Sequence, residues 1–251
     1  IGPASPIKFV KYNFHVPEDK ETGERLYNID EFYQCDWKEV EPAPEMNIPL
    51  KVACYDLEVY SESGLFPQAK NDNDAIIQIG VSYRWSNDML TPLRRVVFVS
   101  GTVTPSEDPN IQFIPCKNEE DMLFKYAHEI SMENPDIICG YNTFGFDDAY
   151  IEDRCRKLGI DDAINLARYQ SKTFDNRTES WKVKFSETKK FELASGKYDL
   201  RYLMLRGRLG LDLLLNMRRE HSLDSFKLDN VASVFLKDKV LKYELGRVGT
   251  K

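Results

Sequence analysis

Apolar and polar positions alternate in blocks along the chain, and from about residue 50 onward these blocks predict strands and helices in succession. Three segments have the β-branched and aromatic content of buried strands, namely Leu50–Tyr60, Ala75–Tyr83 and Arg95–Ser100. A helix is predicted next, with Asn118 as its N-cap, acidic residues in its first turn and an end near Glu133.

The second half of the chain continues this pattern. It predicts a short strand at Asp136–Cys139 and a helix at Asp147–Leu158 that is ended by Gly159. The alternation in Trp181–Phe185 predicts a β-hairpin insertion. Gly207–Leu215 is predicted to be a strand passing into a helix, and a last helix is predicted within Lys227–Leu236. Three strands followed by helix, strand and helix fit an α/β fold in which helices flank a mixed sheet.

The first 48 residues are different in character. They are polar and proline-bearing, and they end in Glu41-Pro42-Ala43-Pro44. We interpret residues 1–48 as the end of a preceding N-terminal domain and its connector, and residues 49–251 as the main domain. Because the chain starts with Ile1 and shows no secretory signal, we expect an internal fragment.

Composition excludes several classes of protein. No apolar run approaches the roughly 18–20 residues that a membrane span needs. The five cysteines are scattered and never form a C-x-x-C pair, which argues against a zinc ribbon and for a reducing compartment. The net charge is −7, but basic residues prevail from Arg168 to Arg208 and acidic ones from Glu107 to Asp162. That asymmetry suits an enzyme that holds phosphates through cations and metal ions, although charge alone favours a solvated hairpin.

Three acidic residues carry the candidate chemistry. Asp56 and Glu58 lie two residues apart in an apolar strand, so their side chains project from one face about 6.5–7 Å apart. Like charges so placed need compensation, which divalent cations supply most directly; a solvated face of an edge strand is the alternative. Asp147 follows a strand and starts a helix, where it either contributes to a site at the sheet edge or caps the helix.

At these positions the sequence resembles a known family. Cys54-Tyr55-Asp56-Leu57-Glu58 is similar to the first exonuclease motif of family B DNA polymerases, and Ser63-Gly64-Leu65-Phe66-Pro67 with Asp74 and Ile76–Gly80 resembles its continuation in polymerase delta and large DNA virus enzymes. Asn134–Ile138, Gly140-Tyr141-Asn142 and Phe146-Asp147 resemble the second motif, N-x-x-x-F-D. Gly207 through Asp212 and Leu223 through Leu236 look like the stretch before the third motif. The resemblance spans roughly residues 50–237 and implies a ribonuclease H-like fold.

The resemblance also implies a function, which is 3′→5′ proofreading by hydrolysis of the terminal phosphodiester of a single-stranded or frayed DNA 3′ end. Two Mg²⁺ or Mn²⁺ ions would be held by Asp56, Glu58 and Asp147. Asn142, Phe66 and Phe146 are candidate DNA contacts, with a core or turn role open for each. The implied partners are DNA, the polymerase domain of the same parent chain and candidate replication factors such as a sliding clamp. The implied location is the nucleus, or the host nucleus or cytoplasm for a viral enzyme.

The sequence departs from the family in one respect. The third motif, Y-x-x-x-D, and the polymerase signatures D-x-x-S-L-Y-P and Y-G-D-T-D-S do not occur in it. We therefore expect an exonuclease domain truncated before its third motif, with weak or absent activity in isolation. Asp212 could replace the missing ligand, but starting a helix or bracing the sheet is the better interpretation.

Two rival functions and one further site stay open at this point. One is a free-standing ribonuclease H-like nuclease, and the other is a metal-free scaffold or binding module. Asn71–Asp74 could hold calcium, but it lacks the glycine and distal glutamate of an EF-hand loop and is better interpreted as a polar turn.

Overall fold

A computed structural model describes residues 7–9, 13–14, 33–44, 48–104, 108–161, 163–168, 172–175, 180–183, 185–193 and 196–236. The strands are β1 (Ile7–Phe9), β2 (Asn13–Phe14), β3 (Tyr33–Gln34), β4 (Val40–Pro42), β5 (Lys51–Val59), β6 (Ile76–Trp85), β7 (Arg94–Ser100), β8 (Ile111–Cys116), β9 (Ile137–Gly140), β10 (Lys172–Asp175), β11 (Ser180–Val183), β12 (Ser186–Leu193), β13 (Gly196–Leu203) and β14 (Leu209–Asp212). The α-helices are α1 (Glu119–Glu133), α2 (Asp147–Leu158), α3 (Leu213–Glu220) and α4 (Leu228–Phe235), and Trp37–Glu39 form a 3-10 turn.

Six of these strands form one mixed sheet in the order β14-β9-β5-β6-β7-β8. The strands β14, β9 and β5 run parallel, β5, β6 and β7 are antiparallel neighbours, and β8 runs parallel to β7. This arrangement confirms the predicted α/β class with a mixed sheet. It places β5, the strand that carries Asp56 and Glu58, in the middle of the sheet.

The hydrophobic core lies between this sheet and helices α1 and α2. On β5, Tyr55 and Leu57 point into the core, while Asp56 and Glu58 are exposed on the opposite face. Helix α1 begins after Asn118, whose side chain accepts a hydrogen bond from the Asp121 N–H at 2.9 Å, as predicted. Helix α2 ends at Gly159, whose φ of 71° is a conformation that favours glycine.

Several elements were not predicted, among them strand β8 and a second hairpin. The sequence does not predict strand β8 because its apolar run is short and contains Pro115. Proline is tolerated there because β8 is an edge strand of the sheet. The predicted hairpin insertion is present as β10 paired with β11, and a second hairpin of β12 and β13 follows it. The second hairpin packs against α2 through β13.

In the N-terminal segment, β1 pairs with β4 and β2 with β3. The assignment of residues 1–48 to a preceding domain stays a prediction. All five cysteines are free thiols, in agreement with the absence of a disulfide framework. Within the described ranges, none of the helices combines the length and the apolar character needed to cross a bilayer.

Candidate active site

Strand β5 is partly unpaired where it carries the two acids. Its neighbour β9 pairs only with Val52–Cys54, so the β9 side of β5 is open from Tyr55 onward. On the other side, pairing with β6 continues, and the register shifts between Glu58 and Val59. Such a bulge bends a strand and re-aims its side chains, and bulges are common beside active sites. Asp56 and Glu58 therefore lie on an exposed face next to an open strand edge.

The segment after β9 turns sharply enough to bring α2 to that open edge. A side chain at Gly140 is impossible, because its Cβ would lie 2.3 Å from Thr143 Cγ2 and 2.7 Å from the carbonyl oxygen of Tyr55. Asn142 has a φ of 64°, a left-handed conformation that asparagine tolerates better than most residues. The turn runs directly into the first residue of α2, which is Asp147.

Asp147 reaches β5 through a hydrogen bond. Its carboxylate Oδ1 accepts from the backbone N–H of Leu57 at 3.2 Å, although the two residues are 90 positions apart. Leu57 lies between Asp56 and Glu58, so this bond brings the third acid to the same strand segment. The structure gives the α2 N-cap position to Phe146, which makes no side-chain cap bond. Asp147 is thus directed at the strand rather than capping the helix as an isolated acid.

The three carboxylates influence one another electrostatically. Partial burial raises the pKa of Asp56, opposed by a backbone hydrogen bond from Leu57. Burial and then the charge of Asp56 raise the pKa of Glu58. Burial, followed by the charge of Asp56, raises the pKa of Asp147 to about 8, although the N–H groups of Asp147 and Leu57 act in the opposite direction. Asp56 is therefore close enough to affect both of its partners, and the cluster holds more negative charge than its surroundings stabilise.

Carboxylate oxygens clustered in this way match the ligand preference of Mg²⁺ and Mn²⁺. Among the residues that the structure describes, however, no three His, Cys, Asp or Glu side chains stand within reach of one common ion. The hydrogen bond to Leu57 occupies Oδ1 of Asp147, and the like charges of the three carboxylates repel one another. The chemistry of the three carboxylates fits a divalent metal, but their side chains stand too far apart in the described residues for all three to contact one ion.

The candidate DNA contacts lie near the start of α2. Phe66 is 71% exposed and meets Phe146 edge-on, with ring centroids 5.4 Å apart. Phe146 is partly buried against the core and also contacts the ring of Tyr150 at 5.2 Å. Asn142 is exposed, and its side chain lies over Gly145. The structure brings all three candidates to the α2 side of the open edge, and it gives Phe146 a packing role as well.

Asp212 is a brace rather than a ligand. It is the N-cap of α3, where its side chain accepts from the Leu214 N–H at 2.9 Å. The same carboxylate accepts from the N–H groups of Asn142 at 2.9 Å and Phe144 at 3.1 Å. It therefore fixes the turn that leads to Asp147, in agreement with the structural interpretation of this residue.

Sequence reasoning missed Asp148. This residue is buried beside Asp147 and accepts hydrogen bonds from the Tyr55 hydroxyl and, at 3.0 Å, from the Leu203 N–H. Burial raises the pKa of Asp148 to about 6, although the hydrogen bond from Tyr55 acts in the opposite direction. The signal was the doubled Asp after Phe146, but a helix start rich in acids is common enough to hide it.

The fold and the site together define a class: an α/β protein that exposes paired acids on a central strand and adds a third from a helix start. The sequence model of the DNA polymerase family B exonuclease domain matches residues 12–231. The chain belongs to this family. The mixed sheet flanked by helices is consistent with its ribonuclease H-like fold.

Individual relatives agree with the family match. A DNA polymerase of Pyramimonas orientalis virus is 35% identical over 73% of this chain and 14% of its own length. A DNA polymerase of Phaeocystis pouchetii virus is 30% identical over 70% of this chain and 18% of its own. The DNA polymerase delta catalytic subunit of Candida albicans is 31% identical over 75% of this chain and 17% of its own. The chain thus spans less than a fifth of these relatives.

Proposed function

We propose that this chain is the 3′→5′ proofreading exonuclease domain of a family B DNA polymerase. It acts on a single-stranded or frayed DNA 3′ end and removes mispaired terminal nucleotides during replication. The observation that supports this most strongly is the 3.2 Å hydrogen bond from the Leu57 N–H to Asp147 Oδ1, because it joins the two acidic motifs. Membership of the exonuclease-domain family supports the same role.

Asp56, Glu58 and Asp147 would hold Mg²⁺ or Mn²⁺. When bound, a metal pair lowers the pKa of the attacking water and stabilises the leaving 3′-oxygen. Asp56 influences both of the other acids and would hold the metal together with them. The bond to Leu57 holds Asp147 in place before substrate arrives. The exposed ring of Phe66 offers a stacking surface for a terminal base, and Asn142 offers polar contacts to the same strand.

The wider setting follows from the same proposal. Residues 49–251 belong to the exonuclease domain, and residues 1–48 belong to the end of a preceding domain. The third acidic motif, absent from this sequence, would come from elsewhere in the polymerase. The partners are then DNA, the polymerase domain of the parent chain, and a sliding clamp or other replication factors. The location is the nucleus, or the host nucleus or cytoplasm for a viral enzyme.

Metal binding tests the proposal in this chain itself. Calorimetric titration with Mn²⁺ is expected to show binding that Asp56→Asn and Asp147→Asn each abolish, because each removes a charged ligand from the cluster. Glu120→Gln is the matched control, since Glu120 is an exposed acid in the first turn of α1. Equal binding by all four proteins would refute the assignment of the ligands.

Trimming of 5′-labelled single-stranded DNA tests the chemistry. This chain is expected to trim weakly or not at all, and the parent polymerase efficiently. In the polymerase, Asp56→Asn should lower the rate by about a hundredfold or more. The open geometry among the described acids also favours a metal-free scaffold as a second candidate. Absence of trimming by the parent polymerase, together with absence of metal binding, would favour that scaffold.

A further inference from the structure

The loop between β5 and β6 carries an exposed apolar tip beside the acids. It runs from Tyr60 to Ala75 without helix or strand of its own. Leu65 and Phe66 at its tip are 76% and 71% exposed. A loop of this length without regular structure is usually either functional or disordered. Its shape must come from contacts with the rest of the molecule.

One face of α2 supplies many of those contacts. Phe146, Tyr150, Arg154 and Lys157 follow one another at intervals of three or four residues, so they line one side of the helix. The ring of Phe146 meets Phe66. The Tyr150 hydroxyl donates to the carbonyl oxygen of Asp74 at 2.8 Å. The Lys157 ammonium donates to the carbonyl oxygen of Lys70 at 2.7 Å.

Arg154 is the centre of this face. Its Nη1 donates to the carbonyl oxygens of Ala69 at 2.9 Å and Asn71 at 2.6 Å. Its Nε and Nη2 hold both carboxylate oxygens of Glu119, with an Nη2–Oε2 distance of 2.5 Å. The two side chains are 3% and 8% exposed. Glu119 also accepts from the Ile76 N–H at 2.9 Å, where β6 begins.

The loop is braced internally at the same place. The buried carboxylate of Asp74 accepts from the N–H groups of Gln68 at 2.8 Å and Glu62 at 3.3 Å, and from Asn71 Nδ2 at 3.0 Å. Its oxygens face these donors, as expected for a polar turn. Asp74 therefore holds the loop together from within, and Arg154 binds the loop backbone from α2. These contacts fix the part of the loop from which the tip with Phe66 projects.

We infer that Arg154 is a positioning residue that sets where Phe66 receives the DNA strand relative to Asp147. The inference rests on the proposed function and extends it to a residue outside both acidic motifs. Arg154 lies two turns along the helix that starts at Asp147, so one rigid helix holds both the acid and the loop base. A base stacked on Phe66 is then held at a fixed distance from Asp147.

Arg154→Lys tests the inference, because one ammonium cannot reach Glu119 and two loop carbonyls together. Arg154→Met combined with Glu119→Gln is the companion variant, which leaves no buried unpaired charge and keeps the acceptor for Ile76. Arg201→Met is the matched control. Arg201 makes a bidentate ion pair with Asp153 on α2, at 2.7 and 2.6 Å, and does not touch the loop.

Two measurements are needed on the 251-residue chain. Hydrogen exchange is expected to accelerate at the Glu62 and Gln68 amides in both Arg154 variants and to stay unchanged in Arg201→Met. Affinity for a short labelled oligothymidylate, measured by anisotropy, is expected to fall about tenfold in both Arg154 variants and in Phe66→Ala, the size of one lost base stack. In the Phe66→Ala background, the Arg154 changes should have no further effect on affinity.

Each outcome decides the matter. Additive losses from Arg154→Lys and Phe66→Ala, or faster loop exchange with unchanged affinity, would overturn the inference while leaving the proposed function standing. If the 251-residue chain without substitutions binds no single-stranded DNA, the proposed function fails and the inference fails with it. Matching, non-additive losses would establish Arg154 as the positioning residue.

Discussion

Replacing Asp212 with alanine is expected to lower the free energy of unfolding by about 4–5.5 kcal/mol. The side chain is 4% exposed, and it accepts from three backbone N–H groups, those of Asn142, Phe144 and Leu214. Loss of the α3 cap costs about 1 kcal/mol. Each of the other two bonds has a charged acceptor and contributes about 1.5–3 kcal/mol, and the lower end applies to Asn142, where water can reach the freed N–H.

Asp88→Ala is the matched control for this change. Asp88 also accepts from two backbone N–H groups, those of Leu90 and Thr91, but it does so in an exposed turn. Water replaces the lost bonds there, so the expected cost is below about 1 kcal/mol. The comparison therefore isolates burial as the cause of the larger effect.

Urea unfolding followed by circular dichroism measures both variants. Hydrogen exchange should accelerate at Asn142 and Phe144 in Asp212→Ala and not in Asp88→Ala. If the two variants differ by less than about 1 kcal/mol in unfolding free energy, the turn before Asp147 does not depend on Asp212. The brace assigned to this carboxylate would then be wrong.

Three further changes test the site. Asp147→Asn should stabilise the metal-free chain by about 1 kcal/mol in urea unfolding, because burial beside Asp56 raises the pKa of the Asp147 carboxyl to about 8, and a neutral amide does not carry that cost of burial; a loss of stability would contradict the electrostatic picture. Gly145→Ala places a Cβ 2.4 Å from Asn142 Oδ1, a mobile group, so stability should change by less than about 1 kcal/mol while anisotropy shows weaker single-strand binding. Unchanged binding would argue against a DNA contact by Asn142. Tyr55→Phe removes the hydroxyl bond to buried Asp148 and should cost about 1–3 kcal/mol in the same unfolding assay, whereas no cost would show that water replaces it.

The sequence predicts the α/β class and most of the central elements because their signals are local. Asn118 predicts the start of helix α1 as its N-cap, and Gly159 predicts the end of α2 because glycine readily adopts a left-handed conformation. Strand β5 is predicted from its apolar content, and the alternation that puts Asp56 and Glu58 on one face follows from strand geometry alone. Strand β8 lacks such a signal, since Pro115 interrupts a short run at the sheet edge.

The contacts of Arg154 show what local reasoning misses. In the sequence, Arg154 has charged residues of both signs as neighbours, a pattern that is typical of a solvent-exposed helix face. In the structure it is buried, because four acceptors from two other segments converge on it: Glu119 and the carbonyls of Ala69, Asn71 and Asp72. Burial of an arginine depends on partners far along the chain, so no spacing rule could identify it.

The meeting of the two acidic motifs depends on where β9 stops. This strand ends at Gly140, where a Cβ would collide with Thr143 and with the carbonyl of Tyr55. Because the pairing with β5 covers only Val52–Cys54, the Leu57 N–H is left without a partner from β9 and donates to the Asp147 carboxylate instead. A longer β9 would satisfy that N–H within the sheet, and Asp147 would lose its place beside Asp56 and Glu58. The early end of β9 is therefore what leaves the Leu57 N–H available to Asp147, between the two acids of β5.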